Sequence, residues 1–213
     1  MTVMPMFPLG SVLMPGGLLT LHVFEPRYRA LVQTCLESGD HEFGVVLIDR
    51  GSEVGGGDVR RDAGTVARMV EVGETPDGRY AVVAVGTRRI KVLTWLPDDP
   101  YPQALVDEWA DEPGGASMAD DMADDIADVV EELASRSRRA IALALELGDE
   151  IGAHDDDISE DPLVASYQLA TLAPLGAADR YDLLCARGAR ARLDALARQL
   201  DDVEAVLQFR LGG

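Results

Sequence analysis

Lysine is almost absent from this 213-residue sequence: Lys91 is the only one, and 38 acidic residues outnumber 19 basic ones. The formal net charge is therefore −19. Nucleic-acid binding depends largely on neutralising backbone phosphates, and anionic membrane surfaces attract basic segments. A chain this acidic is predicted to bind neither nucleic acid nor a membrane surface.

The single lysine also excludes two catalytic chemistries. A P-loop places its lysine in the pattern G-x-x-x-x-G-K-[ST], where it reaches the bound phosphates, whereas Lys91 lies in Arg89–Val92 without such glycines. A Ser-Lys dyad needs a lysine of lowered pKa beside a serine. Lys91 lies near Arg88 and Arg89 on an alternating strand, which favours solvent exposure of Lys91. We therefore expect neither a P-loop ATPase nor a Ser-Lys peptidase.

Cysteine is nearly as scarce as lysine. The two present, Cys35 and Cys185, lie far apart in helix-like stretches. The apolar N-terminal stretch is broken by prolines and lacks a basic region, and the longest apolar runs are too short for a membrane span. Lone cysteines without a secretion signal are typical of a reducing compartment. We expect two buried free thiols in a cytoplasmic protein, with a disulfide or a reactive thiol as the alternative.

No group of catalytic or metal-binding residues stands out. The three histidines are not at metal-ligand spacing, and although no G-x-S-x-G pattern occurs, a Ser-His-Asp triad stays open from sequence alone. The acidic run fails the calcium-loop pattern, and the triple glycine does not lead into a helix as a phosphate cradle would. We predict no catalytic, metal or cofactor site. The residues considered are His22, His41, His154, Gly55–Gly57, Asp155–Asp157, Glu160 and Asp161.

The sequence does contain enough apolar residues for a globular core. They make up 47% of the chain while aromatics make up 5%, so aliphatic side chains must fill that core. The charge composition changes near Asp111–Ser117. Residues 1–110 carry 15 acidic and 10 basic side chains, whereas residues 111–213 carry 23 acidic and 9 basic side chains. We predict two domains, residues 1–112 and 117–213.

The first half has the period of strands, with one helix. Leu19, Leu21 and Val23 alternate with other residues, and Pro26 opens an amphipathic helix that Gly39 ends. Further strands are predicted at 43–49, 65–72, 79–85, 87–95 and 103–109, with a turn at Thr75–Gly78 and a bulge or bend at Gly86. Short strands with a single helix predict a small, partly closed β-barrel.

The second half has helical periodicity. Helices are predicted over residues 118–147, from Pro162 to Pro174, over 177–187 and over 189–210, with Ser135–Ser137 as a point of interruption. The fold class is therefore α+β, with a β-barrel followed by a C-terminal helical bundle.

One segment carries a family resemblance. Met6–Tyr28 reads MFPLGSVLMPGGLLTLHVFEPRY, and Phe43–Val45, Gly64–Ala67, Gly78–Tyr80 and Gly86–Arg89 follow in matching order. This resembles the N-terminal, substrate-binding domain of Lon proteases. The resemblance implies a PUA-like β pseudo-barrel followed by a helical bundle, and recognition of unfolded or tagged polypeptides without hydrolysis. Since the lysine argument removes the ATPase and the peptidase, the chain looks like a stand-alone Lon-type substrate-binding protein, and a homo-oligomer is a further expectation.

The expected partner is a polypeptide or another protein. An exposed apolar surface would bind apolar segments, or a peptide strand would add to the barrel edge. The block Phe24, Glu25, Pro26, Arg27 and Tyr28 is the candidate peptide-binding site; alternatively, these residues only define the fold. A PUA-like RNA-binding module, or a hydrolase using His22 or Ser11, are the rival functions.

Overall fold

The computed structural model describes residues 1–53, 57–112, 120–149 and 157–212. The chain divides into two compact units, Met1–Ala110 and Asp111–Gly213. Residues 113–116, the predicted linker, lie outside the described residues, as do residues 54–56 and 150–156 with His154, Asp155 and Asp156.

The first unit is a closed β-barrel with one helix and one additional strand. The elements are β1 Thr2–Leu9, β2 Leu18–Val23, α1 Pro26–Ser38, β3 Glu42–Arg50, β4 Val59–Glu74, β5 Tyr80–Trp95 and β6 Gln103–Glu108. Strands β5, β4, β3, β1 and β6 follow one another in the sheet, and a β5–β6 pairing closes the ring. Strand β2 pairs with the first part of β5 and stands outside that ring. This confirms the predicted α+β class.

Strand β1 was missed by the sequence analysis because two prolines interrupt it. Its residues Thr2–Pro5 pair with β6, and its residues Met6–Leu9 pair with β3. The Met6 N–H donates to Pro102 O on the β6 side. Backbone N–H groups alternate sides along a strand, so Pro8 N also faces the β6 side, at a point beyond the last β1 residue that pairs with β6. Pro5 N faces the β3 side, where pairing has not yet begun. Neither proline therefore removes a ladder hydrogen bond.

The barrel strands β1 and β3 and the middle of β4 are buried on both faces over most of their length. One face fills the barrel with the cluster Met4, Met6, Val46, Val66, Ile90, Val92, Ala104 and Val106. The other face packs beneath α1, where Phe7, Leu31, Phe43, Met69 and Val82 belong to a second cluster. The barrel interior is tight, since a Cβ on Gly44 would lie 2.5 Å from Met6 Sδ. Burial on both faces explains the nearly continuous apolar sequence of β1.

The central hairpin is longer than predicted. Strands β4 and β5 have 16 residues each, and the two strands expected on either side of Gly86 are one continuous strand. The register shifts between Thr65 and Ala67, opposite Gly86, so a bulge lets the strand bend without ending. The turn is as predicted, because Gly78 has φ 76° and its N–H donates to Thr75 O.

Helix α1 begins and ends where the sequence indicates. Pro26 occupies its first turn, and Gly39 follows it with φ 79°. Tyr28, Leu31, Val32 and Cys35 are buried, but Leu36, expected on the same face, is exposed.

The second unit consists of helices. These are α2 Asp120–Glu146, α3 Pro162–Leu172, α4 Ala177–Cys185 and α5 Ala189–Gly212. Asp161 caps α3, accepting from the N–H groups of Leu163 and Val164. The predicted interruption at Ser135–Ser137 is wrong. Arg136 pairs with Glu204 and Asp201 of α5, and Ser137 is buried, so packing against α5 stabilises the helix through this stretch.

A buried arginine joins the parts of the second unit. Arg192 on α5 is 0% exposed, and its guanidinium donates to Asp111 Oδ1 at 2.8 Å and Ser166 Oγ at 2.8 Å. Its Nε donates to Leu183 O at 3.0 Å, and the group lies 3.7 Å from the Tyr167 ring centroid. The Tyr167 hydroxyl donates in turn to Asp111 Oδ2 at 2.6 Å. The Arg192 side chain thus links α3, α4 and α5 to Asp111 at the start of the unit.

Replacing Arg192 should destabilise the helical unit strongly. Arg192→Leu removes the donor to a carboxylate and to buried oxygens, which typically costs about 3–5 kcal/mol. Urea unfolding followed by circular dichroism at 222 nm measures the change. Arg198→Leu, at an exposed position of the same helix, is the control and should change the free energy of unfolding by less than about 0.5 kcal/mol. Equal midpoints for the two variants would contradict the role assigned to Arg192.

Candidate functional site

The residues considered for catalysis do not come together in the described structure. Lys91 is exposed, with Nζ 5.4 Å from the Trp109 ring centroid, and His22 is exposed on β2. Among the described residues, no group of three or more His, Cys, Asp or Glu side chains could hold a metal ion. Arg89, two residues before Lys91 on β5, is buried, 4.5 Å from the Trp109 ring centroid, and its Nη2 donates to Ala110 O.

Cys35 is not suited to nucleophilic chemistry. Its side chain is buried, and its thiol donates to Glu42 O at 3.3 Å. Burial raises the pKa of the Cys35 thiol to about 12, so almost none of it is thiolate near neutral pH. Cys185 is only half-buried, which differs from the expectation of two buried thiols.

The arginines of the first unit do not form a basic patch. Arg60 pairs with Asp58 and Asp98, each at 2.6 Å, and Arg88 pairs with Glu42 at 2.8 Å. The hydrogen bond from Arg88 lowers the pKa of the Glu42 carboxyl below its ordinary value. These cations are already neutralised within the protein, which leaves little charge for phosphate binding.

Four of the five candidate peptide-binding residues have structural contacts. Pro26 starts α1, and Glu25 forms an ion pair with Arg27 at 3.1 Å. Tyr28 is 3% exposed and stacks on Phe7, with ring centroids 4.0 Å apart. Burial raises the pKa of Tyr28 to about 12, and its hydroxyl has no partner among the described residues. Tyr28 is therefore a core residue rather than a contact.

Phe24 differs from the rest of the block. Its side chain is 54% exposed although it directly follows β2. An aromatic side chain left this far in solvent is a natural contact for an apolar ligand. The neighbouring Glu25–Arg27 ion pair and the proline at the start of α1 fix the backbone on one side of Phe24.

Strand β2 has an open edge beside Phe24. Its residues Leu18–Val23 pair with Val85–Tyr80 of β5, and no other strand of the described chain pairs with it. The Gly86 N–H donates to Gly17 O, and hydrogen bonding alternates along an antiparallel pair. The N–H and C=O groups of Leu18, Thr20 and His22 therefore face away from β5.

The open edge has an apolar side chain at each end. Leu18 is 74% exposed and lies opposite Val85, while Phe24 follows the other end. Thr20 lies opposite Val83 between them, and both valines are half-buried. We call Leu18–Phe24 the β2 edge. It combines unpaired backbone groups with apolar side chains, as surfaces that add an extended peptide strand do.

The Phe24–Tyr28 block is recognisable from the sequence, but the β2 edge is not. Alternation predicts that β2 is a strand, yet only the register of β5 with β2, β4 and β6 shows that one side of β2 is open. No helix among the described residues combines the length and apolar character needed to cross a membrane.

The family model and the related proteins that match this chain agree on one family. Residues 3–202 match the family model of the ATP-dependent protease La (LON) substrate-binding domain. The chain is 34% identical over 122 residues to Lon protease of Anaeromyxobacter dehalogenans, covering 56% of this chain and 14% of that protein. It is 34% identical over 113 residues to Lon protease 2 of Myxococcus xanthus, covering 52% and 13%. The chain thus matches only a small part of these relatives' length.

Two solved structures are similar along most of the chain. The Lon N-terminal domain protein from Xanthomonas campestris has a TM-score of 0.64 and 27% identity, covering 93% of this chain and 98% of that one. The N-terminal domain of the Mycobacterium avium complex Lon protease has a TM-score of 0.61 at 20% identity, covering 94% and 99%. The second likeness shows the fold alone.

Substitutions should distinguish Tyr28, the core residue of the Phe24–Tyr28 block, from Phe24, its surface residue. Tyr28→Ala removes a buried ring and should cost about 3–5 kcal/mol. Tyr28→Phe removes only an unpartnered hydroxyl and should change stability by less than about 1 kcal/mol. Phe24→Ser, at an exposed position, should stay within about 0.5 kcal/mol. Denaturant unfolding followed by tryptophan fluorescence reports on this unit, and a large loss for Phe24→Ser would place Phe24 in the core instead.

The Cys35 thiol should be unreactive in the folded protein. In a Cys185→Ser variant, a thiol-specific colorimetric reagent at pH 8 should label almost nothing, because the Cys35 pKa is about 12 and the side chain is buried. Labelling should become complete in urea. Rapid labelling under native conditions would contradict the described environment of Cys35.

Proposed function

The chain belongs to the family of the ATP-dependent protease La (LON) substrate-binding domain, and we propose that it binds extended, apolar polypeptide segments along the β2 edge. The peptide adds a strand beside β2, and Leu18 and Phe24 contact its apolar side chains. The observation that carries this proposal is the row of outward-facing backbone groups at Leu18, Thr20 and His22.

When a peptide adds as a strand, backbone hydrogen bonds supply the affinity and side-chain contacts supply the selectivity. Backbone hydrogen bonds to β2 are independent of the peptide's sequence, which suits a protein that binds many unfolded segments. Leu18 and Phe24 then favour segments with apolar side chains at alternate positions, since alternate side chains of a strand share a face. The acidic chain, with a net charge of −19, disfavours acidic segments.

The other four residues of the Phe24–Tyr28 block hold Phe24 in position in this proposal. The Glu25–Arg27 ion pair, Pro26 and the buried Tyr28 ring fix the chain where β2 passes into α1. They hold Phe24 in place and need no contact with the peptide. We therefore assign Phe24 as the peptide contact and the four following residues as its support.

We propose a binding function without catalysis. The family model that matches is a substrate-binding domain, and the described residues bring no nucleophile and base together. The paired arginines argue against the RNA-binding alternative. His22 and Ser11 are both exposed, and no contact supports the hydrolase alternative. Two cysteines without a disulfide fit the cytoplasm as the place of action.

A proline at position 20 tests strand addition directly. The Thr20 N–H faces away from β5, so Thr20→Pro removes a donor that only an added strand would use, and edge strands tolerate proline at such a position. We expect the affinity for an apolar extended peptide to fall about tenfold or more. Fluorescence anisotropy with a labelled peptide measures the change.

Thr20→Val is the matched control for this test. It keeps the N–H and removes the same hydroxyl, so it should bind like the native chain. Phe24→Ser should weaken the apolar peptide while leaving folding intact. If Thr20→Pro binds as tightly as Thr20→Val, peptide does not add to β2 and the proposal fails.

A further inference from the structure

The helical unit contains a groove that no part of the function proposed above uses. Its volume is about 700 Å³, and it is bordered by the ends of α2 and α3, the start of α4 and the second half of α5. We call it the α4–α5 groove. Grooves of several hundred cubic ångströms are large enough for a small ligand or a few peptide side chains.

The walls of the α4–α5 groove are largely aliphatic. Leu172, Leu175 and Leu207 are buried along it, Val203 is half-buried, and Val206 at its margin is 59% exposed. An exposed valine continuous with buried leucines forms a surface that gains from covering by apolar side chains.

Unpaired carboxylates lie along the same groove. Asp149 is already neutralised by Arg210 at 2.7 Å. Asp179 and Asp202 line the groove and have no basic side chain within salt-bridge distance in the described part of the chain. Residues 111–213 carry 23 acidic and 9 basic side chains, so the field around the groove attracts cations and repels anions.

The groove also offers a hydrogen-bond donor and an acceptor. Arg180 donates through Nη2 to Ala173 O at 3.1 Å, and Gln199 donates through Nε2 to Asp179 O at 3.1 Å. Within the described residues, Arg180 Nε and Gln199 Oε1 have no partner, although both are shielded from solvent. A peptide group supplies one carbonyl and one N–H, which is the complement of this pair.

We propose that the α4–α5 groove binds a polypeptide segment that combines apolar side chains with Lys or Arg side chains. The apolar side chains cover Val206 and the leucines behind it. The basic side chains meet Asp179 and Asp202, and the backbone bonds with the polar groups of Arg180 and Gln199. This site is separate from the β2 edge and stands whether or not strand addition occurs.

The test uses the full chain and three labelled peptides of about seven residues with blocked ends. One contains Leu, Val and two Arg residues; the second replaces Arg by Glu, and the third replaces Leu and Val by Ser. We expect the first to bind about tenfold or more tightly than either of the others, and its affinity to fall as salt is added. Fluorescence anisotropy gives the dissociation constants.

Matched variants locate the binding. Val206→Ser should weaken the basic apolar peptide about fivefold or more. Phe209→Ser, on the same helix but outside the groove and 83% exposed, should not. Asp179→Asn with Asp202→Asn should abolish the preference over the Glu peptide, whereas Asp182→Asn, exposed on α4, should keep it.

The outcomes distinguish this site from the β2 edge and from self-association. Because an apolar peptide can also add beside β2, all three peptides are measured in a Thr20→Pro background, in which the binding that remains belongs to the α4–α5 groove. Equal binding of the Arg and Glu peptides, or equal effects of Val206→Ser and Phe209→Ser, would overturn the proposal. It would also be overturned if sedimentation showed dimers that Val206→Ser dissociates, because the groove would then take a second copy of the chain.

Discussion

The first unit depends on how the two edges of β5 are shared. One edge pairs with β4 along most of its length, and the other is divided between β2, at Tyr80–Val85, and β6, at Ile90–Trp95. Gly86 marks the change of partner: its N–H donates to Gly17 O, and a Cβ there would lie 2.2 Å from Met14 O. The barrel closes through β6, so β2 stays outside the ring with one side unpaired. The candidate site therefore follows from the way the barrel closes.

The second unit is organised by a different interaction. Arg192 is buried at the centre of α3, α4 and α5, and its bonds to Asp111 and to the carbonyl of Leu183 fix where these helices meet. Burying a guanidinium requires that its donors be satisfied, so the site specifies one arrangement of the helices. Arg180, by contrast, has no carboxylate partner in the described residues, and burial lowers the pKa of its guanidinium. Arg192 thus stabilises the helical unit, whereas Arg180 lines the α4–α5 groove.

Local signals predicted much of this fold because they depend on neighbours in sequence. Pro26 and Gly39 bound α1, Asp161 caps α3, and Thr75–Gly78 turns the central hairpin. What could not be predicted depends on distant residues. β1 looks broken by its prolines until its two partners are known. Arg192 lies in a sequence rich in charged residues and resembles a surface arginine, and the unpaired side of β2 follows only from the register of β5.

The central claim is that a polypeptide adds to the outer side of β2, and amide hydrogen exchange resolved by NMR tests it most directly. In the free chain, the amides of Leu19, Leu21 and Val23 should be protected by β5, while those of Leu18, Thr20 and His22 should exchange rapidly. A saturating apolar peptide should slow exchange at Leu18, Thr20 and His22 and leave the others unchanged. Binding without any new protection at these three amides would contradict the account.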